Sequence, residues 1–397
     1  MSQRWIVAIA GKMVLLCAGA VYIWGVFQGP LVGMFGWTQA QVAMTFSLTL
    51  SVFSIGTIFG GRIQDKLGPR EVAIAGGIMI GAGVYFASFA NADQRWILYS
   101  TYGILMGFGV GTLYTPVLAC VLKWFPDKKG FMSGLVVAFM GVGSLVFTPV
   151  ARILVESIGV LTTFKVFGVV FGVLIVIAAM FLKNPPAGYK PAGWNPPSPA
   201  AGAGKRDYTP QEIIRKPHFY YLACMMLIGC LSGFMVIPFA KIMAMEAGLS
   251  DAVATTAIVL IGIANAGGRF FWGAAGDKIG RVQTMATMLA VGGICSLLLP
   301  TLSGYMVLIG IASVAFCFGG FLGSMPATVG EFFGMKNVGV NYGLVLLFFG
   351  VAAFKGPQIS GMIFDMTGTF TIALVIGGIA NLAALSLAYL ASKPMKA

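Results

Sequence analysis

The chain has 397 residues, 58% of them hydrophobic and 9% charged, and its mean hydropathy is +0.91. Soluble domains carry about 25% charged residues, so this inventory cannot build a water-soluble surface and most of the chain must face lipid. The net charge of +13 sits in short segments between apolar runs rather than on one face or in a tail, which excludes nucleic acid as a partner and points to membrane topology.

A span needs about 20 apolar residues, and the chain reads as twelve such helices in order. Helices 1 to 6 are expected near 5–35, 40–61, 71–91, 96–124, 130–154 and 161–182. Helices 7 to 12 are expected near 218–244, 252–275, 282–302, 305–332, 339–364 and 370–391. The first run is far longer than a signal-peptide core and lacks a cleavage site, so it reads as helix 1. Cys17, Cys120, Cys224, Cys230, Cys295 and Cys317 fall in apolar stretches at irregular spacing and read as small buried hydrophobes. Residues 184–216, rich in Pro, Gly, Ala and charge, read as a flexible cytoplasmic linker between a bundle at 1–183 and a bundle at 217–397.

Basic residues set the expected orientation. With the N-terminus inside, the inner segments hold Arg4, Arg62, Lys66, Arg70, Lys123, Lys128, Lys129, the basic residues from Lys183 to Lys216, Lys278, Arg281, Lys336, Lys393 and Lys396. The outer segments hold only Arg95, Arg152, Lys165 and Lys241. Both termini are therefore expected in the cytoplasm, with the chain in the cell membrane.

The two halves repeat. Gly61-Arg-Ile-Gln-Asp65-Lys66-Leu-Gly68 after helix 2 matches Gly273-Ala-Ala-Gly-Asp277-Lys278-Ile-Gly280 after helix 8, 212 residues later. Ser133-Gly-Leu-Val and Tyr342-Gly-Leu-Val open helices 5 and 11, 209 residues apart. Two six-helix copies, each with G-x-x-x-D-K-x-G in its second loop, predict an all-α membrane protein of two pseudo-symmetric bundles.

On these motifs the chain resembles the major facilitator superfamily over its whole length. More narrowly it is similar to the monocarboxylate transporters and oxalate/formate antiporters. The residues behind this are Lys123-Trp-Phe-Pro-Asp127-Lys-Lys-Gly130, Arg215-Lys-Pro-His-Phe-Tyr, Asn265-Ala-Gly-Gly-Arg269-Phe-Phe-Trp-Gly, Asn341-Tyr-Gly and Gly356-Pro-Gln-Ile-Ser-Gly. The resemblance implies a secondary transporter, acting as a monomer, whose halves rock around a midplane site. It also implies gating roles for Gly61, Asp65, Arg70, Lys128, Asp277 and Lys278. An Asp beside the N-terminus of a neighbouring helix and near bases such as Lys128 or Arg70 would hold one state and release in the other. A tight turn with charges set for topology is the alternative reading of the same residues.

Ionisable groups inside spans cost on the order of 3 kcal/mol and point to function. Arg269 lies eight residues before Asp277, roughly 12 Å inside the boundary at about 1.5 Å per residue, and its planar fork suits a carboxylate. The resemblance assigns it the substrate anchor; a structural arginine bonding carbonyls is the other reading. Asn265 is one turn away on nearly the same face. Animal monocarboxylate transporters carry a proton-coupling aspartate there, and Asn cannot titrate. Lys355 in helix 11 is placed six residues beyond Phe349, the position matching the lysine of oxalate antiporters. It reads either as a coupling or substrate-field group or as a structural residue, and as a proton carrier it would need burial to lower its pKa. Lys12 reads as a snorkelling residue. Tyr114 in helix 4, where oxalate antiporters also have tyrosine, offers a phenol donor, and Phe27 an aromatic wall; packing is the alternative for both.

All twelve Asp and Glu residues map to loops or helix ends, leaving a positive, acid-free interior that favours an anionic substrate. No G-x-x-x-x-G-K-[ST] and no metal-ligand cluster occurs in the sequence, so neither ATP drive, a cofactor nor an enzymatic role is expected. The expected function is transport of small monocarboxylates such as lactate or pyruvate with a proton; exchange of carboxylates of the oxalate and formate type is the alternative.

Overall fold

Both copies of the Asp-Lys-x-Gly motif turn out to be helix ends rather than loops. The computed structural model describes residues 3–186, 188–191 and 207–395. In it the second helix runs on to Leu67 and the eighth to Ile279, so Asp65 and Asp277 lie in last turns. Only Gly68 and Gly280 separate these helices from the next, with φ of 93° and 94°. A side chain at those left-handed angles is strained, which is why each copy of the motif closes on glycine.

Twelve helices among the described residues are long and apolar enough to cross a membrane. The first six are α1 (Gln3–Phe35), α2 (Gln39–Leu67), α3 (Pro69–Ala87), α4 (Arg95–Trp124), α5 (Lys129–Ile158) and α6 (Val160–Ala179). The second six are α7 (Pro217–Glu246), α8 (Ala252–Ile279), α9 (Arg281–Thr301), α10 (Tyr305–Phe333), α11 (Val338–Thr367) and α12 (Thr371–Ala391). The described residues contain no strand. Two spans are irregular: α1 tightens to a 3₁₀ turn at Gly19–Ile23, and α4 widens to a π-helix at Tyr99–Met106.

The expected linker is not wholly irregular. Residues 187 and 192–206 lie outside the described residues, but a short helix forms at Pro210–Ile213. Thr209 and Glu212 close a reciprocal capping box there, with Pro at the first helical position. That pattern satisfies the amides that would otherwise fray the turn. The six cysteines are free; Cys17, Cys120, Cys230 and Cys317 are buried and Cys224 and Cys295 half-buried.

The chain divides into two units that match the two halves except that the starts of α5 and α11 are exchanged. Unit 1 comprises Met1–Asp127, Phe139–Asp207 and Phe333–Leu344, and unit 2 comprises Lys128–Ala138, Tyr208–Phe332 and Val345–Ala397. The first turns of α5 thus pack with α8 and α10, and the first turns of α11 pack with α2 and α4.

Unit 1 is held by close helix crossings and an aromatic core. Phe27, Phe164 and Phe167 cluster where α1 meets α6, and Trp24 packs on Tyr102 of the π segment at 4.7 Å. Such ring pairs add about 0.5–1.5 kcal/mol each beyond area burial. In unit 2 an apolar core joins Val236, Ala240 and Ala244 of α7 to Ala254 and Ala257 of α8 and to Ile311 and Ala315 of α10.

Candidate functional site

In unit 2, α8 runs against glycines on both flanks. A Cβ at Gly134 of α5 or at Gly323 of α10 would collide with the Arg269 carbonyl, and one at Gly319 with the Asn265 carbonyl. Backbones approach this closely only where side chains are absent. Ser133 Oγ donates to the Gly323 carbonyl at 2.7 Å, fixing α5 to α10 beside the arginine.

Arg269 is 1% exposed. Its Nε donates to Asn265 Oδ1 at 2.8 Å and one terminal nitrogen donates to the Val137 carbonyl at 2.9 Å. Two of its acceptors are neutral dipoles: an amide one helical turn away and a main-chain oxygen of α5. The planar fork of a buried guanidinium is suited to a carboxylate. The neutral Asn265 serves here as an acceptor that orients the guanidinium.

Two turns further along α8, Asp277 accepts from the amides of Gly130 at 2.9 Å and Phe131 at 2.7 Å. Those are two of the unpaired donors at the start of α5, where a carboxylate also meets the positive end of the helix dipole. Arg281 is 6% exposed, pairs with Asp277, and reaches Glu331 of α10 at 3.3 Å. Phe131 stacks edge-on against Phe270 at 5.3 Å. Lys128 and Lys278 are exposed.

Unit 1 carries the repeat counterpart. Gly61 of α2 lies against Gly339 and Val340 of α11, where a Cβ would meet the Val340 nitrogen at 2.5 Å. Gly343 packs on Thr57, and Thr57 Oγ1 donates to the Gly343 carbonyl at 3.5 Å. The 209- and 212-residue offsets equate Gly343 with Gly134 and Thr57 with Arg269. The cation is thus an addition to one copy of a shared packing motif. The Asp65 side chain lies outside the described residues.

Tyr114 is 1% exposed, and its hydroxyl is 3.5 Å from that of Tyr342 at the start of α11. Its ring packs edge-on against Phe53 at 5.3 Å. Phe27 is enclosed in the α1–α6 ring cluster with 1% of its surface exposed. Lys355 is exposed on α11 with its Nζ 5.7 Å from the Phe354 ring, so the burial required of a neutral proton carrier is not its setting here. Lys12 is half-buried, with its Nζ over the Phe139 ring at 5.3 Å, a cation–π contact. Arg70 donates through Nε to the Met180 carbonyl at 2.9 Å, where it caps the end of α6.

Sequence reasoning missed four participants. Arg281 follows the second motif directly, and Glu331 is a lone acid ending an apolar run; both signals were available. Tyr342 lay inside a quoted motif. The Val137 carbonyl had no signal, because a main-chain acceptor leaves no trace in side-chain pattern. No group of three or more His, Cys, Asp or Glu able to hold a metal occurs among the described residues.

The Major Facilitator Superfamily family model matches residues 10–235 and 222–397. An uncharacterized MFS-type transporter, YhjX of Escherichia coli, is 33% identical, over 88% of this chain and 86% of that protein. The oxalate:formate antiporter of Oxalobacter formigenes is 28% identical over 98% and 91%. Monocarboxylate transporter 13 of Rattus norvegicus is 25% identical over 93% and 86%. Among solved structures, the fucose:proton symporter of Escherichia coli superposes with a TM-score of 0.74 at 14% identity, covering 99% of this chain and 100% of that one. At that identity the likeness concerns the fold.

Proposed function

The chain belongs to the Major Facilitator Superfamily, and from that premise we propose that it is a secondary transporter of small monocarboxylates of the lactate and pyruvate type. The observation that carries this reading is Arg269, buried on α8 and bonded to Asn265 and the Val137 carbonyl. A substrate carboxylate takes the guanidinium from the Val137 carbonyl, exchanging a neutral acceptor for a charged one. Hydrogen bonds to charged groups contribute about 1.5–3 kcal/mol, so the exchange is favourable for an anion and not for a neutral solute.

Substrate binding is then linked to the packing of α5 on α8, because the oxygen released belongs to α5. Asp277 at the α5 N-terminus and the Gly61–Gly339 contact hold one conformation, and their release gives the other, with residues 1–183 and 217–397 moving as halves joined by 184–216. The chain works as a monomer in the cell membrane with both termini inside. Tyr114 is the candidate hydroxyl donor and Phe27 the candidate aromatic wall of this reading, and the anion is carried together with a proton.

Exchange of carboxylate anions is the second reading. The non-titrating Asn265 favours it, as does the 28% identity to a protein named oxalate:formate antiporter. Uptake of labelled L-lactate into proteoliposomes decides between the two. Accumulation driven by an acidic exterior supports proton symport; uptake only into vesicles preloaded with carboxylate supports exchange. Arg269→Gln is expected to weaken carboxylate uptake about 10- to 150-fold, the equivalent of about 1.5–3 kcal/mol, in protein that still folds. Undiminished uptake by that variant would refute the anchor.

A further inference from the structure

The α3–α6 crossing in unit 1 is built on glycine. A Cβ at Gly81 would meet the Gly168 carbonyl at 2.8 Å and the Gly172 Cα at 2.9 Å, and one at Gly168 would meet the Tyr85 nitrogen at 2.6 Å. Two backbones in contact leave a furrow on their outer side where side chains would otherwise stand. It measures about 470 Å³ and is lined by Ile78, Ala82, Phe86, Val169, Val173 and Ile177. Ile78, Val169, Val173 and Ile177 are each more than half exposed within the protein.

The furrow is not a by-product of the fold. The 212-residue offset equates Gly81 with Gly293, and at the α9–α12 crossing Gly293 meets the Gly378 carbonyl as Gly81 meets that of Gly168, with Leu382 standing where Gly172 stands. A Cβ at Gly293 would lie 3.1 Å from Leu382 Cδ2, so at that crossing a leucine fills the place that Gly172 leaves open.

The end of the furrow near the start of α6 has a charge. Lys165, one turn before Gly168, is exposed, with its Nζ 5.7 Å from the ring of Phe89. Tyr85, Phe86 and Phe89 form a ring cluster beside it, with centroids 5.7 to 6.2 Å apart. An apolar groove ending in aromatic rings and one cation has the character of an interfacial lipid contact.

We propose that this furrow holds an acyl chain of an anionic phospholipid whose phosphate pairs with Lys165. The apolar lining offers a polar solute almost nothing.

The test is native mass spectrometry of protein released from phosphatidylcholine nanodiscs containing phosphatidylglycerol. Gly172→Leu copies the filled crossing and is tolerable, since a Cβ there meets only the Gly81 Cα at 3.4 Å and the Gly77 carbonyl at 3.9 Å. It should remove one retained phosphatidylglycerol, and Lys165→Ala should weaken retention about fivefold, as expected for one basic residue at a lipid surface. Equal retention by all three proteins overturns the proposal. So does retention without preference for phosphatidylglycerol, or a dimer in the wild type that Gly172→Leu dissociates.

Discussion

Replacing Asp277 by Asn removes a charge and little else, which isolates what the carboxylate does at the start of α5. Asp277 accepts two amide hydrogens, at 2.9 Å from Gly130 and 2.7 Å from Phe131, with its side chain 27% exposed. Loss of an N-terminal cap costs about 1 kcal/mol, and the charge–dipole part contributes about 0.3–1 kcal/mol. Asn keeps one acceptor oxygen but loses the dipole part and the pairing with Arg281. The expected net loss is about 1–2 kcal/mol, or about 5- to 30-fold in the ratio of docked to released α5. Hydrogen exchange of peptides covering 128–138 reads this ratio directly. Asp277→Asn should accelerate exchange there by that factor and alter lactate uptake. Glu331→Gln, which removes the charge facing Arg281 from a side chain that is 47% exposed, should act more weakly, as partly exposed ion pairs contribute about 0–1 kcal/mol. Unchanged protection in Asp277→Asn, or equal effects of the two variants, would refute a latch carried by the carboxylate.

Gly134→Ala drives a methyl into the Arg269 carbonyl, and such overpacking costs about 1–3 kcal/mol. Its thermal midpoint should fall, whereas Gly25→Ala, which meets nothing within 4 Å, should leave it unchanged. Tyr342→Phe and Tyr114→Phe each remove one hydroxyl of a pair 3.5 Å apart, a change expected to cost about 1 kcal/mol for a hydrogen bond of ordinary strength. Their double variant should cost less than the sum if the hydroxyls interact, and denaturation midpoints measure this. Asp207 accepts from the Lys336 amide at 3.0 Å and crowds Gly334, whose φ is +86°. Asp207→Ala should therefore speed hydrogen exchange in the α10–α11 connection while leaving the α4–α5 connection unaffected.

Much of this protein was legible in its sequence because a bilayer imposes simple rules. Backbone polar groups must be satisfied within each segment, so apolar runs of the right length are helices. Their twelve positions were readable to within a few residues. The repeat was readable too, since Gly68 and Gly280 answer a local demand for positive φ. Arg269 stood out because an ionised side chain in an apolar run has few reasons to be there.

What the sequence left open is what depends on partners distant along the chain. The ends of α2 and α8 were placed too early, because a charged last turn looks like a loop until its neighbours appear. Phe27 and Tyr114 were equivalent candidates by composition; packing buries the ring of one in an aromatic cluster and sets the hydroxyl of the other beside Tyr342. Lys355 and Arg269 were both cations in spans, and the fold leaves the first exposed and encloses the second. The sequence by itself determined which segments are helical, how many there are, and that they repeat, because hydrophobicity and backbone angles are local properties. Only the tertiary structure decided that α5 begins against α8, that a main-chain oxygen of α5 holds Arg269, and that Asp277 caps that same helix, because those contacts join residues more than 130 positions apart.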